Sequence, residues 1–144
     1  MKVLRLLLGT IIIGLTFTYC DKETENSSTV CDQSVIVDKD RYNTGPNGQL
    51  TIISAELDND CLKINFASSG CSGSSWEVKL IDSGAILFSN PPQRNLRLSL
   101  KNRELCDAYI GKEITFDISD LRVNNGDKVL LNLTNSGDQI LYEY

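Results

Sequence analysis

Asp58 and Asp60 stand two residues apart, and Cys31, Cys61, Cys71 and Cys106 are spread through the same part of the chain. Paired carboxylates can carry glycoside hydrolysis, and thiols can serve as nucleophiles, metal ligands or disulfides. Asp58-Asn59-Asp60 is also what a tight turn requires on backbone grounds, and that is the preferred reading. The chain has no histidine. That excludes Ser-His-Asp and Cys-His mechanisms and histidine metal sites. No lysine lies three residues after a serine, and there is no P-loop or dinucleotide fingerprint. Asp58 to Asp60 and Asn124 to Asp127 offer oxygens to calcium, yet neither matches an EF-hand loop. The sequence therefore points to no catalytic residue, no metal and no cofactor.

The four cysteines fit disulfides better than chemistry. An even number in an exported domain reads as two bridges, and three pairings exist. Residues 61–67 extended span roughly 20 Å, whereas bridged Cα atoms lie within about 7 Å. Cys61–Cys71 is thereby disfavoured, and Cys31–Cys61 with Cys71–Cys106 is preferred. Zinc is the rival, without a histidine or a closely spaced cysteine pair to support it.

A fifth cysteine, Cys20, sets the compartment. Met1-Lys2-Val3-Leu4-Arg5 leads into an apolar stretch from Leu6 to Phe17, and Asp21 to Ser28 is polar and acidic. The apolar core is about a dozen residues, short of the roughly 20 that span a bilayer. The segment resembles a bacterial lipoprotein signal peptide, which implies removal of residues 1–19 and acylation of the Cys20 thiol. Tyr19 stands where that family has a small residue. The acidic run is similar to the surface-export signals of Bacteroidetes-type lipoproteins. The expected location is the cell envelope, as an outer-membrane lipoprotein displayed outward, with residues 20–30 as a tether.

The whole chain carries 14 basic and 19 acidic residues, a net charge of −5. Losing Lys2 and Arg5 with the signal makes it more negative still. Phosphate backbones need a concentrated positive surface, so nucleic acid is not an expected partner. The densest basic group is Arg94, Arg97, Lys101 and Arg103, with Arg97 and Lys101 on a strand's polar face, expected to be solvated.

What must position these residues is a set of strands. Leu62, Ile64 and Phe66 alternate with Lys63 and Asn65, Trp76, Val78 and Leu80 with Glu77 and Lys79, and Leu96, Leu98 and Leu100 with Arg97 and Ser99. The same period of two recurs around Val35 and Val37, Leu50 to Leu57, Ile114 to Ile118, Val129 to Leu133 and Ile140 to Tyr144. Tyr42 to Gly48, Ser68 to Ser75 and Asn124 to Asp127 carry turn chemistry, the last as a hairpin signal. Asp82-Ser83-Gly84 reads as a turn into a separate piece, Ala85 to Phe88. Seven to nine short strands with one apolar face imply an all-β domain over residues 31–144, an antiparallel β-sandwich. Cys61, Trp76 and Cys106 resemble the cysteine–tryptophan–cysteine order of an immunoglobulin domain in architecture, with Trp76 as a core anchor. Asp60-Cys61-Leu62, Ser69-Gly70-Cys71, Cys106 and Ile114-Thr115-Phe116-Asp117-Ile118 with Leu121 resemble small uncharacterised Bacteroidetes-type lipoproteins, which implies an exported β-domain and no known activity.

The function expected is a lipid-anchored, non-catalytic binding or accessory module, with an envelope protein or a glycan as partner. Tyr42, Asn43, Asn47, Ser72, Ser74 and Ser75, in loops able to adapt, are the candidate contact residues. A small envelope enzyme or enzyme inhibitor using surface carboxylates, and a structural envelope protein, are the alternatives.

Overall fold

A computed structural model describes residues 30–144. The expected signal (1–19), Cys20 and the tether up to residue 29 lie outside the described residues. The alternating segments become nine strands. β1 (Gln33–Ser34) and β2 (Ile36–Val37) belong to one extended run. Then come α1 (Lys39–Thr44), β3 (Thr51–Asp58), β4 (Cys61–Gly70), β5 (Glu77–Leu87), β6 (Gln93–Lys101) and β7 (Ala108–Asp117). A 3-10 turn (Ser119–Leu121), β8 (Lys128–Leu133) and β9 (Asp138–Glu143) complete the domain. One sheet has the order β1-β7-β4-β3 and the other β2-β5-β6-β8-β9. A single buried cluster takes side chains from both, among them Phe66 and Phe116 from the first and Leu80, Leu98 and Leu131 from the second. Each such side chain contributes about 1.5–3 kcal/mol on burial.

The expectation of purely antiparallel sheets is corrected. β1 pairs with β7, β2 with β5 and β6 with β8 in parallel. The cause is the sheet each strand joins. β7 goes to the first sheet, so the chain recrosses before β8 and enters beside β6 pointing the same way. Asn124 to Asp127 is therefore a turn, with Asn125 at φ 62°, but not the tip of a hairpin, since β7 and β8 are in different sheets. β1 and β2 change sheets across Val35, which is buried.

Two further readings change. Lys39 to Thr44 is helical rather than looped, because Asp38 caps it by accepting from the Arg41 N–H at 2.9 Å. Ala85 to Leu87 is not a separate strand: β5 runs through a bulge between Asp82 and Ile86, where Gly84 takes φ 74° and donates to Asp82 Oδ1 at 2.7 Å. The basic residues are a solvated strand face only in part. Arg97 spreads its guanidinium over the carbonyls of Tyr42, Pro46 and Arg41, each at 2.9 Å, closing the end of α1. Lys101 pairs with Glu77 at 2.5 Å. Arg94 is buried, and its Nε and Nη2 reach the two oxygens of fully buried Asp82 at 3.0 and 2.8 Å.

The registers define two ends. β1 and β2 are one run and both pair in parallel, so β7 and β5 point the same way. At the lower end lie Asp58 to Cys61, the β5–β6 turn and the segment after β7. At the upper end lie Cys71 to Trp76 and Asn102 to Asp107.

Candidate functional site

The upper end is built on Glu104. The backbone N–H groups of Cys71, Ser72 and Gly73 donate to Oε2 at 2.6, 3.0 and 2.9 Å, and Ser75 Oγ donates to Oε1 at 2.8 Å. Successive N–H groups aimed at one point make a concave anion site, which the chain fills with its own carboxylate. The Gly73 and Ser72 N–H groups, ahead of the Ser75 hydroxyl, hold the Glu104 carboxyl down at about 2. The Cys71–Cys106 bridge joins the same two segments. Only glycine fits at position 70, where a Cβ would lie 2.5 Å from Glu104 Oε2 and 2.9 Å from the Trp76 ring. Trp76 is half-buried, stacks obliquely on Phe66 at 6.1 Å and carries Lys112 Nζ 5.5 Å above its ring. It packs against the core cluster, as a core anchor should. Its Nε1 is buried without a partner.

Beside this loop opens a groove of about 610 Å³ between the start of β3 and the start of β7. Gln49, Ser69, Asn102 and Asp107 give it polar walls, and Leu105 and Tyr109 an apolar lip. Leu105 is 95% and Tyr109 68% exposed, so the lip faces solvent. Asn102 is fixed on both sides, donating to the Ser69 carbonyl at 2.7 Å and accepting from the Glu104 N–H at 2.8 Å. Such a groove suits a partner that offers both hydrogen-bonding groups and an apolar face.

The candidate contact residues do not form one surface. Ser72, Ser74 and Ser75 are exposed on the Glu104 loop, and Ser72 and Ser74 share a 2.8 Å hydroxyl hydrogen bond. Asn47 is exposed next to Gly48, which lines the groove. Tyr42 and Asn43 line a separate hollow of about 450 Å³ with Ser83, Gly84 and Asn95. The loop expected to adapt is tied down at its backbone. Glu104, Leu105 and Tyr109 escaped sequence reasoning, since they sit in the one stretch whose pattern has neither period.

Both preferred disulfides are formed, Cys31–Cys61 and Cys71–Cys106. Cys61 and Cys106 do not bridge each other, so the immunoglobulin-type bond behind the tryptophan is absent among the described residues. Asp58 and Asp60 are at the far, lower end. Arg122 Nη2 donates to both Asp60 oxygens at 2.7 and 2.8 Å, its Nε donates to the Tyr142 hydroxyl at 2.9 Å, and that hydroxyl donates to Asp60. The Tyr142 and Arg122 hydrogen bonds lower the Asp60 carboxyl, while burial pushes the Tyr142 hydroxyl up to about 12. This trio binds the β3–β4 turn to β9 and keeps Asp60 ionised.

Glu104 gives a signed pH prediction. Its carboxyl lies below its ordinary value of 4.5 in the folded state, so its contribution is complete above that value and fades as pH falls toward about 2. Between pH 5 and 2, Tm should fall more steeply in the wild-type protein than in Glu104→Gln. Parallel curves would show that the carboxylate does not hold the loop.

The fold defines a class: a β-rich domain of two mixed sheets with two disulfides. Two solved structures are similar to it in fold. One is a protein of unknown function from Bacteroides vulgatus, 19% identical with a TM-score of 0.52, the match covering 81% of this chain and 58% of that one. The other, from Parabacteroides distasonis, is described as toxin related; it is 13% identical with a TM-score of 0.53, covering 78% of this chain and 60% of that one. The likeness is one of fold, and this chain spans under two thirds of either. Both sources are Bacteroidetes, which is consistent with an uncharacterised protein of Bacteroidetes type. No protein-family model matches the chain, and no curated protein matches it in sequence.

Proposed function

We propose that the chain is a lipid-anchored outer-membrane protein whose domain, a β-sandwich of immunoglobulin-like architecture, is a non-catalytic binding or accessory module. Acylation at Cys20 holds it in the envelope. Two formed disulfides suit an oxidising compartment. The observation that carries the binding role is the upper groove, where exposed Leu105 and Tyr109 stand on a segment fixed by Cys71–Cys106 and Glu104. A rigid frame lowers the entropy cost of capturing a partner. That partner is an envelope protein or a glycan, and the acidic chain disfavours nucleic acid.

Cross-linking on intact cells, followed by identification of the trapped species, tests this. Tyr109→Ala and Leu105→Ser should lower capture about tenfold or more, as central contact residues do. Ser72→Ala, Ser74→Ala and Asn47→Ala at the rim should have smaller effects. Capture unchanged by Tyr109→Ala would reject the groove.

A further inference from the structure

The lower end carries a second exposed feature. β5 finishes in Ile86 and Leu87, and Phe88 follows; they are 38%, 42% and 102% exposed. No charged residue lies between Ala85 and Gln93. The turn is closed locally, with Ser89 Oγ donating to the Pro91 carbonyl at 2.6 Å. The nearest charges along the chain on either side, Asp82 and Arg94, are buried and paired with each other. The result is a neutral apolar tip backed by a rigid bulge.

That tip is at the end toward which the entering chain runs, through β1 and β2. Cys31 is bridged to Cys61, the first residue of β4, and Cys61 pairs with Asp117 at the finish of β7. β5 and β7 run the same way, so Phe88 projects from the end where Cys31 is fastened. Ten residues lie between Cys20 and Cys31, a reach of at most roughly 40 Å. An anchor at Cys20 therefore leaves this end, with its tip, within reach of the bilayer.

We propose that Ile86, Leu87 and Phe88 form a membrane-inserting tip, and that its partner is a zwitterionic lipid surface. This inference rests on the lipid-anchor reading above. Asp58, Asp120 and Asp127 share the lower end and are exposed, so an anionic surface would be repelled. Insertion would fix the orientation of the domain and hold the upper groove away from the bilayer.

Trp76 is the chain's one tryptophan and sits at the upper end. It is a built-in control for lipid-borne quenchers. The full chain is placed in phosphatidylcholine vesicles that carry brominated acyl chains. The Phe88→Trp fluorophore should be quenched about twofold, as expected for a ring at the headgroup boundary, while the wild-type emission is unchanged. Replacing half the lipid by phosphatidylglycerol should weaken the quenching. Mass measurement of the N-terminal fragment reports acylation of Cys20 separately. An acylated Cys20 with an unquenched Phe88→Trp fluorophore would overturn the tip, leaving the anchor intact and assigning the apolar turn to a protein partner. If Cys20 is not acylated, the anchor reading falls; the tip then stands or falls on whether the Phe88→Trp chain still binds vesicles and is quenched.

Discussion

Asp82→Ala is expected to destabilise the domain by about 3–5 kcal/mol, because it strands the Arg94 guanidinium in a buried site. Arg94 is 6% exposed and Asp82 fully buried, and both Asp82 oxygens are engaged by the guanidinium. Asp82 Oδ1 also accepts the Gly84 N–H, so its loss loosens the β5 bulge as well. Against a typical total stability of about 5–15 kcal/mol, this is a large fraction. Urea denaturation at pH 7 with the disulfides oxidised measures it. The double variant Asp82→Leu with Arg94→Met should recover most of the loss, since removing both charges also removes their desolvation cost. A cost below about 1 kcal/mol for Asp82→Ala would mean that water reaches Arg94.

The second large effect concerns the entry of the chain. Cys31→Ser combined with Cys61→Ser should cost about 2–5 kcal/mol, the usual range for a native bridge in a small domain. The bond closes a separation of 30 residues. β1 offers little to replace it, having two residues in register with β7. Asp32 adds a side-chain clasp, accepting from the Thr115 N–H at 2.9 Å and from its hydroxyl at 2.8 Å. Hydrogen exchange at Thr115 and Asp117 should accelerate in the double variant more than exchange at Lys63 in β4. Equal acceleration at all three would mean that the bridge stabilises the whole domain and not its entry strand.

The sequence revealed faces more readily than partners. Leu62, Ile64 and Phe66 are inward as their alternation implies, because a strand turns successive side chains to opposite faces. Alternation carries no record of which strand lies alongside, so the parallel pairs of β6 with β8 and β1 with β7 were not legible. Asn125 marked a turn correctly, but a turn does not say whether the chain stays in its sheet. The ion pair was legible and passed over. Asp82 continues the inward positions of Val78 and Leu80, and Arg94 those of Leu96 and Leu98. Opposite charges on apolar faces of successive strands signal a buried pair. Of the candidate site, reach removed one of the three cysteine pairings, and the pairing preferred among the other two is the one formed. Glu104 was not legible, since its partners are 29 to 33 residues away and most are backbone N–H groups, which every sequence has.

The Cys31–Cys61 bond also decides how the domain bears tension. A pull on the chain ahead of Cys31 meets that bond before it meets β1. The load passes through the sulfur atoms to Cys61, at the start of a strand flanked by β3 and β7. β1 and β2 are bypassed, so their few parallel hydrogen bonds need not resist shear. Drag on a captured partner would thus be carried by one of the sheet's inner strands, and the entry strand would stay docked while the rest of the domain is stretched.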